Sequence, residues 1–162
     1  MEEKDFTHLD KKTGNPTMVD VGEKNVTKRM AVASCKVILG KDILTSLMDK
    51  GDIFTKKGPV FQTAIIAGTM GAKKTADLIP LCHPLGMDDC KINIEVINAE
   101  EILVRCTTRV TGRTGVEMEA LTGASVAALT IYDMCKGFSH DITIQDLQLQ
   151  EKTGGKSDFK RK

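Results

Sequence analysis

Residues 116–136 read VEMEALTGASVAALTIYDMCK and are followed by Gly137, a residue type that commonly ends a helix. The stretch predicts one long helix, because its apolar residues fall on almost every side rather than along a single stripe. Such a helix is buried on more than its sheet-facing side. We therefore expect either the helix flank or the free face of the sheet to meet another subunit.

Four segments around this helix alternate apolar and polar residues, which indicates strands. They are residues 29–39, 89–98, 101–110 and 141–149. Two further helices are predicted, at residues 40–50 with Gly51 as a C-cap, and from Gly58-Pro59 to about residue 76. The order strand, helix, helix, strand, strand, helix, strand is the split β-α-β motif with one added helix. It predicts a ferredoxin-like α+β fold, with a four-stranded antiparallel sheet and helices packed on one face.

The length of 162 residues fits one domain with two flexible ends. Residues 1–28 are polar and aperiodic, which predicts a flexible N-terminal arm with one apolar hook at Met18-Val19-Asp20. Residues 29–150 then form the ferredoxin-like domain, which we expect to be the catalytic domain if the chain is an enzyme. Residues 151–162 are rich in Gly and Lys and predict a basic, flexible C-terminal tail.

Charge and composition exclude several functions. Lys and Arg total 23 against 22 for Asp and Glu, so no global field attracts nucleic acid or an anionic membrane. No apolar run approaches the roughly 18 residues of a membrane span. The five cysteines are an odd number in apolar stretches, and no secretory signal pattern is visible. These features predict reduced thiols in the cytoplasm.

The loop Leu81-Cys82-His83 lies between Pro80 and Pro84, which constrain a thiol and an imidazole on a rigid backbone. One interpretation is a catalytic or binding loop. The alternative is that Cys82 is a small buried apolar residue and His83 a hydrogen-bonded loop histidine. Zinc is not expected, because Cys82 and Cys90 do not have metal-binding spacing. We predict neither a metal nor a cofactor.

Lysines recur at helix ends and turns, where a solvated surface charge explains most of them. Lys73, Lys74 and Lys136 also complement helix C-terminal dipoles. Lys57 is harder to explain in this way, because it precedes a predicted helix start at Gly58-Pro59 whose N–H groups favour an anion. The combination predicts a phosphate cradle.

The segment TGRTGVEMEA places Arg113 between two glycines and puts Glu117 and Glu119 in the first turn of the long helix. The common explanation is that these glutamates complement the helix dipole. The functional alternative is that the guanidinium holds a phosphate while the carboxylates accept the N–H groups of a guanine-like edge.

Asp133 and Lys136 share a face at the other end of this helix. Partial burial would raise the pKa of Asp133 and Lys136 would lower it, as in many proton-transfer groups. Glu119 and Asp133 are 14 residues apart, which corresponds to roughly 21 Å along a helix. A single nucleotide-sized ligand would hardly span that distance, so we expect the two residues to serve one site only if they come from different subunits.

Motifs along nearly the whole chain also carry a family resemblance. They are Thr7-His8-Leu9, MVDV, KGPVF, DLIPLCHPL, TGVEMEALT, AALTIYDMCK and KTGGKSDFK. In these motifs the chain resembles the cyclic pyranopterin monophosphate synthases, the protein C family of molybdenum cofactor biosynthesis. The resemblance implies a lyase that converts 3′,8-cyclised 7,8-dihydro-GTP, made by a radical GTP cyclase, into cyclic pyranopterin monophosphate with release of pyrophosphate. It also implies a homohexamer, a trimer of dimers with sites between subunits.

The resemblance assigns roles residue by residue. Asp133 resembles the family's catalytic residue, with Lys57 and Lys136 as further catalytic candidates. The residues implied in substrate binding are Leu81, Cys82, His83, Met118, Glu119, Glu117, Lys73, Arg113 and Lys152. Asp20 of MVDV is a weaker candidate. Arg113 stands where a lysine is also seen in the family, and either residue would hold phosphate, Arg with a bidentate fork.

Two alternatives from other functional classes remain open, because a fold alone implies no chemistry. One is a non-catalytic ferredoxin-like module that binds a nucleotide or pterin. The other is a structural partner that only holds the product of the radical enzyme.

Overall fold

The structure is a computed structural model that describes residues 8–162, so Thr7 and the start of the predicted arm lie outside the described residues. The strands are β1 (Thr27–Ile38), β2 (Met48–Asp49), β3 (Asp52–Thr55), β4 (Gly58–Pro59), β5 (Asp89–Val96), β6 (Glu101–Gly112), β7 (Thr143–Thr153) and β8 (Phe159–Lys160). The helices are α1 (Lys41–Leu47), α2 (Val60–Lys73), α3 (Thr75–Leu78) and α4 (Glu117–Cys135).

The main sheet is antiparallel and has the strand order β5-β6-β1-β7-β8. Its four long strands are the four that the alternating segments predict. The sheet has five strands rather than four, because the chain turns back after β7 and Phe159–Lys160 pair with Lys152 and Glu151. The segment predicted as a tail therefore holds the end of β7 and all of β8, and its flexibility stays a prediction.

A second, three-stranded sheet, β2-β3-β4, was not predicted from the sequence. The helix expected over residues 40–50 ends at Leu47, because Met48 and Asp49 pair with β3 instead. The turn between β2 and β3 contains Lys50 and Gly51, with φ values of 48° and 85°. Glycine adopts this left-handed conformation without steric cost. Gly51 therefore belongs to a hairpin turn and is not the predicted helix cap.

Helices α2 and α4 lie side by side on one face of the main sheet. They approach closely at two glycines. A Cβ atom on Gly68 would lie 2.7 Å from the carbonyl oxygen of Gly123, and one on Gly123 would lie 2.6 Å from Cys106 Sγ on the sheet. Real Cβ atoms essentially never come this close. The absence of side chains at both positions thus sets the spacing between the two helices and between α4 and the sheet.

Helix α4 is buried on more than one side, as its apolar sequence predicts. The sheet and α2 cover most of its alanines, including Ala120, Ala124 and Ala127, which have no exposed surface. Apolar side chains nevertheless remain exposed on both helices, with Ile66 of α2 at 64% and Leu129 of α4 at 59%. The contact of this layer with another subunit stays a prediction. No helix within residues 8–162 has the length and hydropathy needed to cross a membrane.

Candidate active site

Asp133 lies in the last turn of α4, where two ammonium groups bind its carboxylate. Lys136 Nζ is 2.7 Å from Oδ1. Lys57 Nζ is 3.0 Å from Oδ2 and also donates a hydrogen bond of 3.0 Å to the backbone carbonyl of Asp133. All three side chains are about half exposed. The structure thus brings the three residues predicted as catalytic into one solvent-accessible group, which we call the Asp133 cluster.

The two ammonium groups determine the protonation state of this carboxylate. Hydrogen bonds from Lys136 and then from Lys57 lower the pKa of Asp133 to about 2, and desolvation is the weakest influence. The same contact with Asp133 raises the pKa of Lys136. The expected rise from partial burial is therefore outweighed, because 54% of the Asp133 side chain is exposed. At neutral pH the cluster holds one carboxylate and two protonated amines.

Lys57 reaches Asp133 from the turn between β3 and β4, immediately before α2. In the same region Asp52 is only 6% exposed. Its carboxylate accepts three backbone N–H groups, from Ile53 at 2.6 Å, Phe61 at 2.7 Å and Gln62 at 3.2 Å. Phe61 and Gln62 belong to the first turn of α2, whose N–H groups have no intrahelical acceptor. The prediction of a phosphate cradle at this helix start is wrong, because the carboxylate of Asp52 already accepts these N–H groups.

A cavity of about 230 Å³ opens at the other end of α4. We call it the main cavity because it holds most of the predicted substrate-binding residues, although it is not the cavity of greatest volume. Six of the predicted substrate-binding residues line it: Leu81, Cys82, His83, Glu117, Met118 and Glu119. The N-terminal segment covers one side with His8, Val19, Val21 and Lys24. Asp20 is not among the lining residues, and its carboxylate accepts the N–H of Gly22 at 2.8 Å.

Glu119 is the buried acid of the main cavity, with 4% of its surface exposed. Desolvation raises its pKa above the usual value, its own backbone N–H lowers it and Glu117 adds a smaller upward shift. The pKa of Cys82 is also raised, by desolvation first and by Glu119 second. Glu119 is thus closer to taking up a proton than Asp133, although both are acidic residues of the same helix.

Glu117 lines both the main cavity and a smaller one of about 160 Å³. Lys152 Nζ is 3.1 Å from Glu117 Oε1, and Arg29 and Lys156 line the same small cavity. Arg29 also donates a hydrogen bond of 3.1 Å from Nε to the Gly112 carbonyl. The sequence pattern around Arg29 predicted only a strand. Its place beside Glu117 depends on the pairing of β1 with β6, which no local motif reveals.

Two of the predicted substrate-binding residues lie elsewhere. Lys73, the last residue of α2, lines a third cavity of about 430 Å³ together with Thr69 and Cys90. Arg113 is exposed in the loop before α4 and lines neither the main cavity nor the small one. Within one chain the structure therefore does not bring Lys73 or Arg113 to the buried acid Glu119.

No group of three or more His, Cys, Asp or Glu side chains within residues 8–162 has the proximity needed to hold a metal ion. All five cysteines are free. Cys90 and Cys106 are the closest pair described, with Sγ atoms 4.0 Å apart in hydrogen-bonding contact.

The main cavity and the Asp133 cluster lie at opposite ends of one uninterrupted helix. Because α4 runs continuously from Glu117 to Cys135, Glu119 and Asp133 are separated by about 21 Å along its axis. Most of the predicted site residues therefore form two groups within residues 8–162 of each chain. One is a partly buried cavity with an acid, an imidazole and a flanking set of cations, and the other is the exposed Asp133 cluster.

This arrangement defines an α+β protein whose polar cavities lie beside lysine and arginine side chains, which suits an anionic small molecule. The MoaC family model matches residues 18–155. The chain belongs to the MoaC family.

Relatives share most of this chain. The cyclic pyranopterin monophosphate synthase of Xanthomonas axonopodis pv. citri is 51% identical over 154 residues, covering 95% of this chain and 92% of that protein. The molybdenum cofactor biosynthesis bifunctional protein of Synechocystis sp. is 54% identical over 157 residues, covering 94% and 45%. Molybdenum cofactor biosynthesis protein 1 of Dictyostelium discoideum is 44% identical over 172 residues, covering 97% and 27%. The chain thus spans less than half the length of the last two relatives.

Proposed function

We propose that this chain is a cyclic pyranopterin monophosphate synthase. It would convert 3′,8-cyclised 7,8-dihydro-GTP, received from a radical GTP cyclase, into cyclic pyranopterin monophosphate with release of pyrophosphate. Membership of the MoaC family and the similarity to the cyclic pyranopterin monophosphate synthase of Xanthomonas axonopodis pv. citri support this proposal. The structural observation that carries it is the Asp133 cluster, a carboxylate held at 2.7 and 3.0 Å by two ammonium groups on the surface.

In this proposal the Asp133 cluster performs the proton transfers. With a pKa of about 2, Asp133 is ionised at neutral pH, so Lys57 and Lys136 carry the protons available for donation. A substrate group that displaces either lysine removes one of the two hydrogen bonds that lower the pKa of Asp133. The carboxylate then becomes a stronger base at the moment of binding. The cluster can therefore both donate and accept protons as the substrate rings open and close.

The main cavity and the small cavity, which share Glu117 as a lining residue, bind the substrate in this proposal. Glu119 and Glu117 accept the N–H groups of the base, as carboxylate oxygens do. Lys152 and His83 hold the triphosphate and stabilise the charge that develops on the departing pyrophosphate. Lys73 and Arg113 line neither cavity within one chain, so in this proposal they reach the triphosphate from another subunit. The ion pair between Lys152 and Glu117 at 3.1 Å supports this division, because it joins the acidic and basic parts of the site.

One complete site requires two chains in this proposal. The separation of about 21 Å between Glu119 and Asp133 exceeds what a single nucleotide-sized substrate covers within one chain. We propose a homohexamer, a trimer of dimers, in which the main cavity of one subunit faces the Asp133 cluster of another. In this proposal each chain has a ferredoxin-like core made of the four long strands with α2 and α4. The proposed location of the enzyme is the cytoplasm.

The decisive experiment is pyrophosphate release from purified cyclised dihydro-GTP. The expected result is stoichiometric release with wild-type protein and none with Asp133→Asn. Asp141→Asn, which changes an exposed aspartate outside both groups, is the matched control and should retain turnover. The Asp133→Asn protein should keep the circular dichroism spectrum and the oligomeric mass of wild type. Normal turnover by Asp133→Asn would refute its catalytic role, and tight binding without any pyrophosphate release by wild type would indicate a binding module.

A further inference from the structure

We infer that Asp52 is a positioning residue for the Asp133 cluster, acting through the Lys57 hairpin. This inference rests on the proposed function for its effect on turnover, but its structural part concerns only the contact between Lys57 and Asp133. Asp52 does not touch the Asp133 cluster and is absent from the linings of the main and small cavities. Its effect must therefore be transmitted through the backbone.

The backbone path from Asp52 to Lys57 is short. Asp52 begins β3, and β3 pairs with β4 through Phe54↔Pro59 and Thr55↔Gly58, which leaves Lys56 and Lys57 as the two turn residues. The turn is also closed locally, since the N–H of Lys57 donates to Thr55 Oγ1 at 3.1 Å. The hairpin thus begins at Asp52, and its turn carries Lys57, whose amine binds Asp133.

Asp52 joins this hairpin to the first turn of α2. The same oxygen, Oδ1, accepts the N–H of Ile53 in β3 at 2.6 Å and the N–H of Phe61 in α2 at 2.7 Å. The second oxygen accepts the N–H of Gln62 at 3.2 Å. Its negative charge also lies at the positive end of the helix dipole. The neutral side chain of the same size, that of asparagine, offers only one acceptor oxygen and carries no charge.

The contact at the other end of the hairpin depends on this anchor. Lys57 Nζ makes two hydrogen bonds of 3.0 Å to Asp133, and its side chain is 53% exposed. An exposed lysine side chain loses considerable rotamer entropy when it is held in one geometry. A backbone turn that moved relative to α4 would increase this cost and release the amine to water. Fixing the turn is therefore the way in which a buried residue can act on an exposed ion pair.

The test uses Asp52→Asn, with Asp42→Asn as the matched control on the exposed first turn of α1. Asparagine keeps one acceptor oxygen for Ile53 and Phe61 but presents an amide donor to Gln62 and removes the charge. The first measurement is the carboxyl-carbon NMR shift of Asp133 as the pH is lowered. We expect the pKa to rise from about 2 toward 3.8 in Asp52→Asn and to stay unchanged in Asp42→Asn.

A double-variant comparison separates positioning from general destabilisation. Lys57→Met removes one of the two ammonium groups directly and should raise the pKa of Asp133 more than Asp52→Asn does. If Asp52 acts through Lys57, Asp52→Asn should add no further rise in the Lys57→Met protein. An equal rise in both backgrounds would overturn the inference.

Lysine acetylation followed by mass spectrometry provides an independent measurement. In Asp52→Asn the rate at Lys57 should rise relative to the rate at Lys56, its exposed neighbour in the same turn. If Asp52→Asn does not fold, Asp52→Ser, which keeps a short oxygen acceptor, is measured in the same way. Unchanged labelling and an unchanged Asp133 pKa in a folded variant would overturn the inference. So would loss of the fold in both variants, since Asp52 would then serve the core as a whole.

Turnover is the last measurement, and it keeps the two proposals distinguishable. In Asp52→Asn we expect kcat for pyrophosphate release to fall while KM changes little, because the main cavity is untouched. If wild-type protein releases no pyrophosphate, the proposed function fails. The NMR and acetylation results still decide whether Asp52 positions Lys57.

Discussion

The close approach of α4 to the sheet predicts a specific steric coupling between Gly123 and Cys106. A Cβ atom at position 123 would lie 2.6 Å from Cys106 Sγ and 3.3 Å from both Ala72 Cβ and the Gly68 carbonyl oxygen. Only the sulfur contact is closer than side chains tolerate. The other two require shifts of a few tenths of an ångström. Gly123→Ala should therefore destabilise the fold mainly through its contact with one atom, Cys106 Sγ.

The expected magnitude follows from two opposing effects. Inserting a methyl group into a packed core costs about 1–3 kcal/mol. Replacing glycine by alanine inside a helix stabilises by about 1 kcal/mol. Gly123→Ala should thus lower the free energy of unfolding by roughly 0–2 kcal/mol. In the Cys106→Ala background the sulfur is gone, so the same substitution should be neutral or stabilising by up to about 1 kcal/mol.

Urea denaturation measures this coupling when it is applied to wild type, to both single variants and to the double variant. Protein concentration is held constant, because oligomer dissociation makes apparent stability concentration-dependent. The interaction energy between the two substitutions should be about 1–3 kcal/mol in the favourable direction. Equal effects of Gly123→Ala in the two backgrounds would refute the steric reasoning. Cys106→Ala alone should be destabilising, because it removes a fully buried side-chain atom.

Two further predictions concern the Asp133 cluster and the main cavity. Because the pKa of Asp133 is lowered from 3.8 to about 2, its stabilising effect should be present above pH 4 and lost as the pH falls from 4 to 2. Urea midpoints at several pH values should therefore show less acid dependence in Asp133→Asn than in wild type. Separately, mixing inactive Glu119→Gln and inactive Asp133→Asn proteins, after subunit exchange, should restore part of the pyrophosphate release. No recovery despite proven exchange would contradict a site shared between subunits.

Local sequence patterns predicted the long elements well for identifiable physical reasons. Alternation in residues 89–96 and 101–110 follows from a sheet with one face under helices, and burial alternates along β6 and through the middle of β5. The apolar surface of α4 reflects simultaneous contact with α2 and the sheet. The short elements were missed, because two-residue strands such as β2 and β8 carry no period. Their pairing is fixed by turns and by neighbouring strands.

The site was predicted in parts, and the missing parts are those that depend on tertiary contacts. Glu119 and the loop before Pro84 were recognisable from their own motifs, and both contribute to the main cavity. The contact between Lys57 and Asp133 joins residues 76 positions apart. No local pattern encodes it. No sequence pattern singled out Asp52, although it is almost fully buried and its carboxylate accepts three backbone N–H groups.

The spacing between α2 and α4 connects the core to the Asp133 cluster. Lys57 precedes the first turn of α2, and Asp133 lies in the last turn of α4. The two helices run in opposite directions, since Gly68 and Ala72 near the end of α2 lie against Gly123 in the first half of α4. A side chain added at Gly68 would push the helices apart, because its Cβ atom would lie 2.7 Å from the Gly123 carbonyl oxygen and 2.9 Å from Ala127 Cβ. Lys57 would then have to bridge a wider gap. Gly68 therefore sets the distance between the helices, and Asp52 accepts two N–H groups of the first turn of α2. We infer that both features help Lys57 to reach Asp133 at 3.0 Å.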